Sequence, residues 1–294
     1  MGNNNNFKSG YVAIAGKPNV GKSTLLNRLV GQKIAIISPK PQTTRDKILA
    51  IMSEKDCQVV FLDTPGMHKP KNKLGEMMVK AANDAIGDVD MVLMVVEPDT
   101  EISPAEQHIL EKIGNRPAVL AINKCDSVKY DKILPVIDTY RKVRDFDDII
   151  PISAKRGDGV DELKKIIKDK LEPGPMYYPE EMVTDQQEKQ IVAEIIREKM
   201  LNLLDKEVPH GIAVEIVKMK QKENGMYSVS ANIYCEKESH KGIIIGKGGE
   251  TLKNIGTYAR IDCEKMLDTK VFLELWVKVK PDWRNSNNLI KEIY

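Results

Sequence analysis

The chain has 294 residues, 41% hydrophobic and 30% charged, and its 45 Lys and Arg nearly balance its 43 Asp and Glu. These proportions exclude a disordered tail, a fibre and a disulfide-stapled miniprotein, and the length suggests two domains, each able to bury its own core. No apolar run reaches the ~18 residues of a membrane span, and a net charge of +2 excludes a uniformly basic coat, so any nucleic-acid binding must rest on locally placed charge.

The start, MGNNNNFKSG, holds no apolar segment and reads as a flexible polar leader (1–9) without a signal peptide. Strands are then predicted at Tyr11–Gly16, Gln58–Gly66, Met91–Pro98, Pro117–Asp126 and Ile149–Ala154, with a helix over KSTLLNRLVG ending at Gly31 and a closing amphipathic helix over VDELKKIIKDKL. Continuous apolar strands separated by helical patterns predict an α/β domain over 10–172, with a mostly parallel, doubly wound sheet covered on both faces.

Glu172–Asp185 holds three prolines, a glycine and no periodicity, and reads as the start of a linker spanning 173–189. Beyond it comes a long amphipathic helix (Gln187–Asp205), then two alternating strands (Ile212–Gln221 and Met226–Glu236) turning at Asn224-Gly225. A glycine-rich loop, a helix from about Glu250 to Met266 and a strand at Lys270–Lys280 complete a smaller α+β domain, 190–294. Cys57, Cys125, Cys235 and Cys263 are scattered with no CxxC pair, which predicts reduced thiols in a cytoplasmic protein.

Gly16-Lys17-Pro18-Asn19-Val20-Gly21-Lys22-Ser23, followed by Thr24, fits G-x-x-x-x-G-K-S/T between a strand and a helix. Glycines let backbone amides converge on phosphate oxygens, and the helix N-terminus adds partial positive charge. Lys22 can reach the β- and γ-phosphates, and Ser23 can ligate Mg²⁺. Asp63-Thr64-Pro65-Gly66 closes the second strand, offering a carboxylate for Mg²⁺ and a Gly66 amide for the γ-phosphate. Asn123-Lys124-Cys125-Asp126 closes a later strand. The Asp126 carboxylate can accept from N1 and the 2-amino group of guanine, a donor pair adenine lacks. A backbone amide of Ser153-Ala154-Lys155 can meet guanine O6. Four short motifs in order, each at the C-terminal end of a predicted strand, predict a GTP and GDP site at the edge where doubly wound sheets bind ligands. In the intervening SPKPQTTRDK, Thr44 is the expected switch ligand for Mg²⁺ and the γ-phosphate, with Thr43 the rival; GMHKPKNKLGEMM reads as a second switch.

The loop GIIIGKGGETLK near the end of the chain is a different device. Glu250 and Thr251 stand where a triphosphate loop needs Lys-Ser/Thr, and a carboxylate there opposes a triphosphate. Gly246-Lys247-Gly248-Gly249, flanked by Ile243, Ile244 and Lys253, resembles the KH module, in which the loop joins two helices and grips about four nucleotides of single-stranded nucleic acid. Strands before the loop and one after match the prokaryotic (type II) KH order. Residues 237–284 carry 10 basic and 7 acidic residues in a half that is otherwise acidic. Trp276 is expected in the core, and Trp283 with Arg284 at the RNA.

The motifs GKPNVGKST, PQTTRD, DTPG, NKCD and SAKRGDG resemble the translation-factor-related GTPases. With the KH-like ending, nearly the whole chain resembles the Era family of bacterial ribosome-assembly GTPases. The resemblance implies binding near the 3′ end of 16S rRNA, a partner in the small ribosomal subunit, and RNA as ligand instead of DNA. It implies that Asn19 helps hold K⁺ beside the phosphates. Met67 stands where related enzymes carry a water-orienting Gln, which implies slow, K⁺-stimulated hydrolysis. A monomer is expected, and the basic segment His68–Lys73 raises peripheral attachment to the inner face of the cell membrane as a rival location.

Overall fold

The computed structural model describes residues 7–38, 40, 43–45, 47–66, 70, 72–205 and 208–293. They form two compact units: the described residues of Met1–Ala35, Thr44–Pro70 and Gly75–Asp185, and those of Ile36–Thr43, Lys71–Leu74 and Gln186–Tyr294.

The first unit is built on β1 (Lys8–Ala15), β2 (Ile48–Glu54), β3 (Cys57–Asp63), β4 (Met91–Val96), β5 (Ala118–Ile122) and β6 (Asp148–Pro151), in the sheet order β2-β3-β1-β4-β5-β6. Every pairing is parallel except β2–β3. The sequence reading assigns no strand at β2. A two-residue turn at 55–56 folds its apolar run ILAIMSE back along β3. Alternate side chains divide the strands between two cores, as a period of two requires. Val12, Ile14, Phe61, Leu93 and Val119 face one cluster with α1 (Lys22–Val30) and α5 (Val160–Lys170). Ala13, Val92, Met94 and Leu120 face another with α2 (Lys73–Gly87), α3 (Pro104–Ile113) and α4 (Ile133–Val143). With both faces covered and β1, β3, β4, β5 and β6 running one way, their C-terminal ends share one edge, and all four nucleotide motifs lie beside it.

The Pro-rich stretch expected as a linker is fastened to this unit. Pro173 bridges Lys8 and Thr184 bridges Ala50. Gln58, fully buried, accepts from the amides of Tyr177 (2.8 Å) and Tyr178 (3.0 Å) and donates to the Tyr178 carbonyl (2.9 Å). Prolines without N–H groups suit such a covering segment, because one buried glutamine can satisfy the few amides that need partners.

The second unit runs α6 (Glu188–Leu203), β7 (Ala213–Gln221), β8 (Tyr227–Cys235), α7 (Glu238–Ile245), α8 (Glu250–Leu267), β9 (Val271–Val279) and α9 (Asn287–Ile293). Its sheet is β7-β8-β9, antiparallel then parallel, so the first six elements have the type II KH order. Val229, Ala231 and Ile233 of β8 pack with Val192 and Ile196 of α6 and Ile255 and Ala259 of α8. The described residues of Ile36–Thr43 belong to this unit: Arg197, wholly buried, pairs with Glu194 and donates to the Thr43 carbonyl, and Glu198 accepts from the Ile37 amide at 2.9 Å.

The two tryptophans exchange their expected places. Trp283 has no exposed surface and donates from Nε1 to the Gly211 carbonyl at 2.9 Å, so it cannot touch RNA. Trp276 is 59% exposed on the outward side of β9 and is not a core residue. Arg284 is turned inward on Glu236, Nε–Oε1 3.0 Å and Nη2–Oε2 2.6 Å, which occupies the guanidinium that was expected at the RNA.

Candidate functional site

The first loop is tight because its glycines leave no room for a side chain. A Cβ on Gly16 would lie 2.4 Å from the Val95 carbonyl oxygen, one on Gly21 2.3 Å from Asn123 Nδ2, and one on Gly66 2.8 Å from Pro18 Cα. The last two contacts each join one motif to another, and the first sets the loop against β4. Asn19 (φ 67°) and Gly21 (φ 99°) adopt left-handed backbone, which turns successive amides inward before α1 begins.

Within this loop Lys22 is buried, and its Nζ donates to the carbonyls of Gly16 and Lys17 at 3.0 Å each. Burial lowers its pKa to about 8, against the opposing pull of Asp63. Asp63 is also wholly buried, and burial raises its carboxyl above the usual range, offset in part by Lys22, Ser23 and Thr44. Ser23 Oγ donates to Asp63 Oδ2 at 2.8 Å; Thr44 Oγ1 lies 2.9 Å from Ser23 Oγ and 3.4 Å from Asp63 Oδ2. The other carboxylate oxygen, Oδ1, is buried without a hydrogen-bond partner. Two hydroxyls and a carboxylate with an orphaned oxygen form an all-oxygen donor set suited to a hard divalent cation such as Mg²⁺. Thr43 is not part of this set: its hydroxyl donates to the Lys40 carbonyl at 2.6 Å.

Asn123 organises the base end. Its Nδ2 donates to the Val20 carbonyl (2.7 Å) and its Oδ1 accepts from the Ala154 amide (2.9 Å), so one buried side chain ties three motifs. Lys124, with φ 63°, donates to the Asn19 carbonyl at 2.7 Å and pairs with Glu97. The Asp126 carboxyl is held below the usual range, first by the Ser153 hydroxyl at 2.8 Å. Thr64 is buried and donates to the Ile14 carbonyl, pinning the Asp63 strand end to β1. Lys17 lies near Glu97 and Glu106, and Lys155 is exposed. Cys125, half-buried, turns its thiol to the Ile122 carbonyl. Met67 lies outside the described residues.

Two supporting residues carry no motif. Asn27 receives the Ile34 and Ala35 amides (2.8 Å each) and fixes the chain entering the first switch. Arg28 donates to the carbonyls of Ala154 (3.3 Å) and Lys155 (2.6 Å), bracing the guanine-side loop. Their helical positions were visible in the sequence; their partners, in Arg28's case more than a hundred residues away, were not.

In the second unit Gly246 (φ 76°), Gly248 (φ 60°) and Gly249 (φ 82°) all have positive φ. A Cβ on Gly246 would strike Thr251 Oγ1 at 2.2 Å, whereas Gly248 and Gly249 face open space. Ile243 and Lys247 are exposed, and Ile244 is fully buried in the core, so only the first of the two expected isoleucines can meet a ligand. Beside the loop, a groove of about 420 Å³ is lined by Gly249, Leu252, Lys253, Gly256, Leu273 and Leu275. An apolar floor with a lysine at its rim and bare backbone at its mouth suits bases below and sugar-phosphate above.

Two family models match the chain: a 50S ribosome-binding GTPase over residues 11–124 and a KH domain over 207–284. The chain is 53% identical to GTPase Era of Ruminiclostridium cellulolyticum over 289 residues, covering 98% of this chain and 97% of that one. It belongs to the Era family of GTPases. It is also 53% identical to GTPase Era of Clostridium kluyveri, over 98% of this chain and 99% of that relative. Among solved Era structures, a complex with MgGDPNP and nucleotides 1506-1542 of 16S ribosomal RNA matches at TM-score 0.94 and 41% identity, covering 98% of both chains. A variant of Aquifex aeolicus Era bound to GDP and AlF4- matches with the same score and identity, covering 98% of this chain and 99% of that one. Both relatives and structures are matched from end to end, so the Era-family arrangement of a G domain followed by a KH domain extends over the whole chain. Among the described residues no helix is long and apolar enough to cross a membrane.

Proposed function

We propose that this chain binds and hydrolyses GTP with Mg²⁺, and that it binds single-stranded RNA at the 3′ end region of 16S rRNA during small-subunit assembly. The observation that carries the reading is the presence, in one chain, of a motif-built guanine-nucleotide cradle and an open G-x-x-G loop beside a groove. An Era relative is solved with a GTP analogue and this region of 16S rRNA, which supports both halves.

In this reading Lys22 and the loop amides from Asn19 to Thr24 hold the β- and γ-phosphates. Ser23, Thr44 and Asp63 hold Mg²⁺, which when bound neutralises phosphate oxygens as charge develops. The Gly66 amide senses the γ-phosphate, and Asn123, Asp126 and the Ser153–Lys155 loop select guanine. Asn19 contributes to a K⁺ site that supplements this charge. Met67 stands where related enzymes carry a water-orienting Gln, which supports slow unstimulated turnover, on the order of the ~10⁻⁴ s⁻¹ of unstimulated Ras. Thr43, held by Arg197 in the second unit, is the immediate chain neighbour of Thr44 in the first. We take this as the route by which nucleotide state biases RNA binding.

Phosphate release measured in KCl and in NaCl, for the wild type and for Lys22→Ala, tests the nucleotide half. Slow GTP turnover that Lys22→Ala abolishes and K⁺ accelerates is expected; equal rates in both salts remove the K⁺ site, and no turnover at all removes the enzyme. Gly248→Asp, which sets a carboxylate against phosphate, is expected to abolish binding of a 16S 3′-end oligonucleotide. A cytoplasmic monomer belongs to the same reading, with sedimentation against anionic liposomes separating it from peripheral membrane attachment.

A further inference from the structure

The sheet of the second unit has two faces; the hydrophobic cluster lies on one, and on the other Asn232 and Tyr234 are buried while the β9 end is exposed. Val229, Ala231, Ile233 and Cys235 point to the helices. The opposite face carries Phe272 and Trp276 of β9, 50% and 59% exposed, four residues apart on one side of the strand. At ~3.3 Å per residue the two rings stand roughly 13 Å apart. In register with them on β8 are Ser228, opposite Phe272, and Asn232, opposite Trp276, with Ser230 between. On β7, Lys220 pairs with Ser228 and Lys218 with Ser230, and both lysines are exposed. Neighbouring strands are ~4.8 Å apart, so Lys220 and Lys218 stand roughly 10 Å from the β9 row that starts at Phe272, across Ser228 and Ser230. Lys222 Nζ stands 5.6 Å from the centre of the Phe272 ring. Two acids share this face: Glu274, between the rings in the cross-strand row of Lys218, and Glu215, in the row of Trp276, where it accepts from the Asn232 side-chain amide and the Tyr234 hydroxyl.

Two large rings standing in water are unfavourable unless something covers them. Flat aromatic faces for bases, a lysine row at phosphate distance and a level, uncharged strip between them are the parts of a single-strand stacking platform. A second copy of this chain would bring the same lysines against lysines, so charge complementarity favours a polyanion. The loop groove accommodates about four nucleotides, whereas the RNA solved with an Era relative spans nucleotides 1506-1542.

We propose that the outer face of the β7-β8-β9 sheet is a second RNA-binding surface. Phe272 and Trp276 stack on unpaired bases, and Lys218 and Lys220 neutralise their phosphates, outside the G-x-x-G groove. This rests on the reading of the chain as an RNA-binding protein, and the test separates the two.

The test uses the full chain with Mg²⁺ and a non-hydrolysable GTP analogue. Two RNAs are compared: a tetranucleotide that fills only the loop groove, and a 37-nucleotide RNA of the 1506-1542 sequence. Phe272→Ala and Trp276→Ala are each expected to weaken the long RNA about tenfold and to leave the short one unchanged. Lys218→Ala with Lys220→Ala is expected to lower the salt slope of the long RNA by about two. Trp276 emission is expected to be quenched by the long RNA alone. Unchanged affinity for the long RNA in both ring variants, with Gly248→Asp still abolishing both RNAs, overturns the second surface and leaves the first standing. If Gly248→Asp changes neither RNA while the ring variants do, the groove reading fails and the platform stands. A shift from dimer to monomer in the ring variants without loss of RNA binding overturns the proposal in favour of self-association.

Discussion

Asn123 donates its side-chain amide to the carbonyl of Val20 at 2.7 Å. That bond fixes the phosphate loop to the strand end that carries the guanine selector, and the same side chain takes the Ala154 amide on its other side. In the proposed function, phosphate and base recognition therefore share one buried support. Asn123→Ala leaves a buried acceptor and a buried donor unpaired, at about 1–3 kcal/mol each. Guanine-nucleotide affinity is expected to fall at least tenfold and the melting temperature by several degrees. Calorimetric titration with GDP and a thermal melt check both, and unchanged GDP affinity contradicts the shared support.

Lys22 offers a pH test. Burial brings its folded pKa to about 8, below the ~10.4 of the unfolded amine. Between those values the unfolded chain holds a proton that the folded chain has released, so stability of the nucleotide-free protein rises with pH across that window. Below it the buried charge opposes folding by an amount on the order of 3 kcal/mol. Lys22→Met removes the group and is expected to flatten the rise between pH 8 and 10 while abolishing GTP binding. Thermal melts across this range read the slope.

Asp63 shifts the other way. Burial raises its folded pKa, so the folded chain binds the extra proton and stability falls as pH rises from near 4 through the folded value. The ionised form of this buried carboxylate, with its orphaned oxygen, is relieved by a divalent cation. Asp63→Asn is expected to melt higher than the wild type without Mg²⁺ and nucleotide, and to lose the Mg²⁺-dependent stabilisation seen with GDP. A Mg²⁺ titration of the melting temperature decides it, and an undiminished Mg²⁺ response in Asp63→Asn removes this residue from the metal site.

Gly246 and Gly248 separate folding from binding. Gly246, at φ 76° and ψ 175° with Thr251 2.2 Å from any Cβ, sits in backbone only glycine favours. Gly246→Ala is expected to destabilise the second unit by about 1–3 kcal/mol. Gly248 lies in the left-handed region over open space, so Gly248→Ala is expected to cost about 1 kcal/mol and to keep the fold. Denaturant melts rank the two; equal losses contradict the geometry.

What could be read before folding followed from locality. The nucleotide motifs are backbone devices at strand ends, so Gly16, Lys22, Asp63 and Asn123 were legible from type, spacing and element order. Thr44 was separable from Thr43 only by the turn that points the Thr43 hydroxyl at Lys40. The tryptophans were misassigned because the partner that receives the buried Trp283 Nε1–H, the Gly211 carbonyl, lies seventy-two positions earlier in the chain. Trp276 did carry a signal: Phe272, Glu274, Trp276 and Lys278 alternate with Leu273, Leu275 and Val277, which marks the first set as the outward face. Arg28 and Asn27 look like ordinary helix residues until distant loops meet them.

The central claim is that nucleotide state on one unit biases RNA binding on the other. Its most direct test is the affinity of the full chain for the 16S 3′-end RNA with MgGDP and with Mg²⁺ and a non-hydrolysable GTP analogue, at fixed salt. At least fivefold tighter binding is expected with the analogue, matched by an equal gain in analogue affinity when RNA is bound. Identical RNA affinity in the two nucleotide states would contradict it.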